Sequence, residues 1–216
     1  MDQELLLQQA NQLLNEEEFQ QAVPLLLKVV AQLKDNAKWE TQFNAYYNLG
    51  FSYLALEEYE KALPYFQYTL QLELPIAYKW LPHQGLANAL LSLHRAEEAI
   101  PHFEQAIERC HEARPKVYMI MDNADAYFEI KQVEKAIEQL EQAMSICEKE
   151  QLEEDTWTVG HQLSDWYLSF RPSQQAVELL EYLHERAKKY KASDWEILFL
   201  GNLSTAYLYN GQIEAS

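Results

Sequence analysis

Asn11, Asn48, Asn88, Asp125, Asp165 and Asn202 recur at intervals of 37 or 40 residues along the chain, with Asp122 three before Asp125. Amides so spaced offer donors and acceptors to a peptide backbone, and carboxylates attract cations, so this set is suited to recognition. The residue types that do covalent or hydrolytic work are arranged differently. The six histidines, His83, His94, His102, His111, His161 and His184, form no metal-ligand spacing. Gly-x4-Gly-Lys-Ser/Thr, Gly-x-Ser-x-Gly and His-Glu-x-x-His do not occur in the chain. The acid runs Glu16-Glu17-Glu18 and Glu153-Glu154-Asp155 fall near predicted turns and helix starts, where negative charge complements the positive end of the following helix. The inventory predicts no enzyme, no catalytic residue, no metal and no cofactor.

Holding recognition groups at fixed intervals takes repeating elements, and their register is marked by small residues. Ala22, Ala62, Ala99, Ala136, Ala176 and Ser216 are each preceded, twelve residues earlier, by Ala10, Gly50, Ala87, Ala124, Ser164 and Ser204. Small side chains on both partners are what a close helix crossing requires. Large residues recur beside them: Leu13, Tyr53, Leu90, Tyr127, Tyr167 and Tyr207 three after the first small position, and Leu26, Phe66, Phe103, Leu140 and Leu180 four after the second. The repeat length is 40, 37, 37, 40 and 40 residues. Helix pairs are predicted at about 3–15 and 18–34, 38–55 and 58–73, 77–93 and 96–112, 115–131 and 133–149, 153–170 and 173–190, with 194–210 opening a sixth. The chain reads as a single array over 1–216, in pairs of about 3–34, 38–73, 77–112, 115–149, 153–190 and a partial 194–216. Pro24, Pro64 and Pro101 share one position, expected in the first turn of each second helix, and Pro75, Pro82, Pro115 and Pro172 fall at or near turns.

Charge and composition narrow the partners. Lys and Arg number 17 against 34 Asp and Glu, a net charge of −17. Such a surface repels phosphate backbones and anionic lipid, so neither nucleic acid nor membrane is expected as a direct partner. Five glycines and no sustained strand alternation make the class all-α. Met1-Asp2-Gln3-Glu4 lacks a basic leader and no apolar run reaches membrane-spanning length, so a soluble, cytoplasmic protein is expected. Cys110 and Cys147 occupy equivalent positions in consecutive repeats, one helix layer of roughly 10 Å apart, and are expected to be free thiols.

Tyr46-x2-Leu49-Gly50-x2-Tyr53 followed by Ala62-x3-Phe66, with Tyr59 between, resembles the tetratricopeptide (TPR) repeat, Tyr46 replacing the usual Trp and Pro75 falling one residue late. The resemblance implies a right-handed α-solenoid whose first helices line a concave, ligand-binding face. It places Asn11, Phe51, Asn88, Asp125, Asp165 and Thr205 on that face, with Gln8, Asn48, Gly85, Asp122, Gln162 and Asn202 two residues before the small position and Leu14, Leu54, Leu91, Phe128, Leu168 and Leu208 one turn further on. The expected site is therefore Asn11, Asn48, Phe51, Asn88, Asp122, Asp125, Phe128, Asp165 and Asn202. The clamp by which chaperone-tail repeats hold a terminal carboxylate is contradicted, because Tyr47, Leu81, Gln84, Tyr118 and Asp122 stand where it places cations. Asp122, Asp125, Glu129 and Asp165 favour a neutral or basic segment instead.

The resemblance thus implies a non-catalytic protein- or peptide-binding scaffold. The alternative is the ligand-sensing part of a peptide-responsive bacterial regulator, whose extended repeats these are similar to in length and whose output would lie elsewhere. Trp39, Trp80, Trp157 and Trp195 are read as inter-repeat packing or as a rim anchor. Gly211 to Ser216 is read as a turn and the opening of a sixth second helix. The apolar residues of 195–209 exceed what one packing stripe needs, so they are expected to meet either a following segment or a second copy in a homo-dimer.

Overall fold

The computed structural model describes residues 2–34, 37–171 and 174–214. Its regular elements are the helices α1 (Gln3–Asn15), α2 (Phe19–Gln32), α3 (Trp39–Ala55), α4 (Tyr59–Thr69), α5 (Leu81–Ser92), α6 (Ala96–Arg109), α7 (Ala113–Glu129), α8 (Val133–Lys149), α9 (Glu153–Phe170), α10 (Gln174–Tyr190) and α11 (Ser193–Glu214), with a 3-10 turn at Ile76–Tyr78. They pack as consecutive helix pairs, the all-α solenoid architecture expected from the repeat. The chain forms two compact units, Met1–His111 holding α1 to α6 and Glu112–Ser216 holding α7 to α11. Within each unit every helix packs on the next, so a second helix is shared between its own first helix and that of the following pair.

The small residues lie where the register places them. Ala10, Ala87, Ala124 and Ser164 on first helices and Ala22, Ala62, Ala99, Ala136 and Ala176 on second helices have no accessible surface, and Ser204 is exposed. Ser216 and Pro172 lie outside the described residues. Phe66 is wholly buried, and its ring fills the space between α3 and α5. A Cβ on Gly50 would come 3.0 Å from that ring, and one on Gly85 would come within 2.3 Å. Gly85, placed by the register on the ligand strip, is therefore a packing residue that lets the next repeat close on Phe66.

The turns share one device. Glu17, Glu57, His94, Lys131, Gln151 and Lys191 all have positive φ, between 56 and 63°. After each of them the backbone N–H reaches back to the carbonyl five residues earlier: Glu18 to Leu13, Glu58 to Tyr53, Arg95 to Leu90 and Gln132 to Tyr127 within helix pairs, Leu152 to Cys147 and Ala192 to Ala187 between pairs. This is the Schellman closure, which satisfies carbonyls that a helix end leaves without partners.

Several expectations are corrected. Pro24, Pro64 and Pro101 are the sixth residues of α2, α4 and α6, in the second turn and not the first. Each removes a helical N–H, but the prolines and the carbonyl-bearing residues four back, Gln20, Glu60 and Glu97, are exposed, which lowers the cost of the lost bond. Helix α4 stops at Thr69 instead of 73 and α5 starts at Leu81 instead of 77. Pro75 disfavours helix at Leu74 and caps the 3-10 turn, and Pro82 suits the first turn of α5. Finally, the turn expected at Gly211 is absent, because α11 continues to Glu214 and no glycine has positive φ. Gln212, Ile213 and Glu214 are acceptable helix formers, and a helical Gly costs only about 1 kcal/mol.

Both cysteines are buried and neither is in a disulfide. Burial, reinforced by Asp155 and Glu148, pushes the Cys147 thiol up to about 12, which removes it from thiolate chemistry. Asp155, expected to serve as a helix-start acid, is buried and accepts hydrogen bonds from Arg114 Nε (2.9 Å) and Tyr118 Oη (2.6 Å), joining α7 to α9.

Candidate ligand-binding faces of the first helices

In the first unit the expected residues Asn11, Asn48 and Phe51 come together between α1 and α3. Asn48 Nδ2 donates to Asn11 Oδ1 at 2.9 Å. The two line a groove of about 480 Å³ together with Leu14, Asn15, Tyr47 and Phe51. Phe51 is 42% exposed and meets Phe19 edge-on at 5.9 Å. Asn88, on α5, is half-buried, and its Oδ1 is shielded from solvent without a hydrogen-bond partner.

In the second unit the same kind of bond recurs. Gln162 Nε2 on α9 donates to Asp125 Oδ1 on α7 at 2.8 Å, and Asn202 Nδ2 on α11 donates to Asp165 Oδ1 on α9 at 3.0 Å. Each of the three ladder bonds spans 37 residues, joining the position after one small residue to the position two before the next. The amides expected to meet a peptide backbone therefore already brace neighbouring first helices. Each side chain keeps a second polar atom that this bond does not use. His161 Nε2 lies 3.5 Å from Asp165 Oδ2, and charges that contact only when protonated.

The acids of this face do not ionise alike. Burial, with the like charge of Asp125 one turn away, pushes the Asp122 carboxyl up to about 7. Asp125 is also raised by burial, against which the hydrogen bond from Gln162 works. Beside these acids lies an aromatic group that the sequence reading named only in part. Phe128 stacks on Trp166 at 5.1 Å and meets Phe170 edge-on at 5.5 Å. Phe128 is 40% and Phe170 48% exposed. Trp166 and Phe170 are spaced i, i+4 on α9, so they lie on one helix face. That spacing, set against Phe128 one repeat earlier, was the available signal.

Three of the other tryptophans pack on aromatic neighbours. Trp157 and Trp195 both lie against the buried Phe199 of α11, at 6.3 and 5.7 Å, and Trp39 meets Tyr78 at 5.5 Å. The histidines are less scattered than their repeat positions suggest, since His83 and His102 place their Nδ1 atoms 3.1 Å apart. Among the described residues no group of three or more His, Cys, Asp or Glu could hold a metal ion. Among the same residues no helix is long and apolar enough to cross a membrane.

Two family models, both described as tetratricopeptide repeat, match residues 43–73 and 124–150. No curated protein matches the chain. Among solved structures, a Podosopora anserina protein of nearly identical TPR-like repeats is similar at TM-score 0.69 and 22% identity, over 87% of this chain and 96% of that one. The apo form of RapI is similar at TM-score 0.77 and 14% identity, over 97% and 83%. MamA from Desulfovibrio magneticus RS-1 is similar at TM-score 0.61 and 15% identity, over 96% and 94%. At these identities the likeness is one of fold.

Proposed function

The chain is a tetratricopeptide-repeat protein, and from that premise we propose that it is a non-catalytic scaffold whose first-helix faces hold an extended segment of a partner protein. The observation that carries this reading is the Phe128, Trp166 and Phe170 group, with both phenylalanines exposed and Trp166 half-buried, on the two helices that also carry Asp125 and Asp165. Exposed, mutually supported aromatic rings supply large contact area at small entropic cost and are typical binding anchors. Carboxylates on the same helices favour lysine or arginine, which also sit well on aromatic faces. A partner segment combining apolar and basic side chains satisfies both. In the first unit, the groove with Phe51 and the Asn11–Asn48 pair supplies a second apolar contact with backbone-bonding amides.

On this reading each unit offers its own first-helix face, in a reducing, cytoplasmic setting where the buried Cys110 and Cys147 stay reduced. A panel of extended peptides of one length, alternating leucine with lysine, arginine, glutamate or serine, tests the partner class. The basic members are expected to bind and to enhance or quench Trp166 emission. Equal binding of glutamate and lysine members overturns the proposed selectivity.

A further inference from the structure

A cleft in the first unit has a chemistry opposite to that of the chain as a whole. It opens between the end of α4, the 3-10 turn, the start of α5 and the end of α6, and encloses about 210 Å³. Lys79, His83 and Arg109 line it, against apolar walls of Leu72, Leu74 and Pro82. Lys79 and Arg109 also line an adjoining opening of about 280 Å³, where His111 and Glu108 stand. In a chain of net charge −17 such a concentration of cationic and imidazole groups needs a physical reason.

Arg109 supplies the sharper observation. Arg95 pairs with Glu98, Arg114 with Asp155, Arg171 with Glu134 and Glu141, and Arg186 with Glu153. Arg109 makes no such pair among the described residues. Its Nη1 donates to the Gln105 carbonyl at 3.0 Å, which uses one of five donors and no countercharge. The residue is half-buried, and a guanidinium drawn partly out of water in an acid-rich protein would ordinarily take a carboxylate. Lys79 likewise has no carboxylate within ion-pair distance among the described residues, although Glu108 stands on the same rim.

The neighbourhood is positive enough to act on other groups. His83 is lowered to about 4 by burial first, then by His102 and Arg109, and burial lowers His102 as well, so both members of the pair stay neutral. A neutral imidazole has a single N–H, so with His83 Nδ1 accepting from His102 Nδ1–H, His83 Nε2–H is left for a ligand.

We propose that this cleft binds a single oxyanion, a phosphate or carboxylate group, held by the Arg109 guanidinium and the Lys79 ammonium with His83 as a neutral donor. Arginine grips either group through paired N–H donors, and the apolar walls strengthen the charge contact by excluding water. The site is separate from the first-helix faces discussed above and does not depend on them.

The test follows the His83 and His102 ring signals by NMR in the full chain at about pH 7.5, where both rings are neutral. Inorganic phosphate is titrated in one arm and acetate in the other, at constant ionic strength. Both rings are expected to shift together along one saturating curve, with a dissociation constant of about 1 mM for the better ligand. Tighter phosphate identifies a phosphate group, and tighter acetate a carboxylate. Arg109→Gln is expected to weaken binding about tenfold. Lys79→Gln changes an exposed side chain and serves as a second variant should Arg109→Gln fold poorly. Lys61→Gln, which removes a cation paired with Glu58 away from the cleft, is expected to change nothing. Absence of a saturating shift in both arms, or the same shift in Lys79→Gln and the parent, overturns the site.

Discussion

Asp122 is the side chain at which the fold alters ordinary chemistry most plainly. The ordinary value of its carboxyl is 3.8, and burial in the folded chain raises it to about 7. Between those values the folded state keeps a proton that the unfolded state has released. The contribution of this group to stability is therefore greatest below about pH 4 and is lost as pH climbs through 7. Asp122→Asn keeps the shape and removes the charge, so at about pH 8 the variant should be more stable than the parent by roughly 2–4 kcal/mol. Urea melts should show that advantage shrink towards about pH 5. His83 and His102, both lowered by burial, act in the opposite direction, because the unfolded chain takes up protons there first as pH falls. The comparison of variant with parent cancels them. An advantage that is the same at both pH values would contradict the burial of Asp122. The position of Asp122 was legible from repeat register, since register needs only spacing. Its protonation was not, because that depends on how much water the packed helices leave around one carboxyl. The same limit explains Trp166 and Phe170: a residue's neighbours across a helix pair follow from register only when both helices are aligned side by side.

At the scale of helices and turns, twelve-residue spacing between small residues was enough to place the pairs, because a close crossing tolerates nothing larger. It did not place the ends. The α4–α5 connection departs by several residues because Pro75 and Pro82 act on the backbone independently of the repeat. The turns were also hidden, since they put Glu17, Glu57, His94 and Lys131 in a left-handed conformation usually marked by glycine. That choice costs stability, since L residues pay roughly 1 kcal/mol there. Lys131→Gly should accordingly stabilise the second unit by about 0.5–1 kcal/mol, with no change in helix content. Chemical denaturation followed by circular dichroism measures it. A destabilised variant would mean that Lys131 is held by its side chain and not merely tolerated. The three ladder bonds, Asn11–Asn48, Asp125–Gln162 and Asp165–Asn202, belong to this scale too. Residue types proposed for ligand contact also fix the spacing between first helices, two roles that sequence alone does not separate.

At the scale of the whole molecule, α11 and the aromatic face of α7 and α9 are the surfaces that invite a partner. Phe199, Leu203 and Ala206 turn inward, whereas Ile197 is 72%, Leu200 51%, Tyr207 51% and Leu208 68% exposed. We propose that a second copy covers this outer face, since contiguous apolar patches larger than a few hundred Å² seldom stay bare. Light scattering should then show the parent associating at high micromolar concentration and a Leu200→Glu, Leu208→Glu variant remaining monomeric. A parent that is monomeric throughout contradicts that interface. The central claim, that the first-helix face of the second unit holds a basic and apolar segment, rests on Phe128 and Trp166 more than on any other pair. The most direct measurement is calorimetric titration of the best lysine-bearing peptide into the parent, into Phe128→Ala, Trp166→Ala, and into Glu138→Ala on exposed α8 surface. The double variant is expected to bind at least about tenfold more weakly with its helicity intact, and Glu138→Ala to bind like the parent. Equal affinity for all three proteins would contradict the central claim.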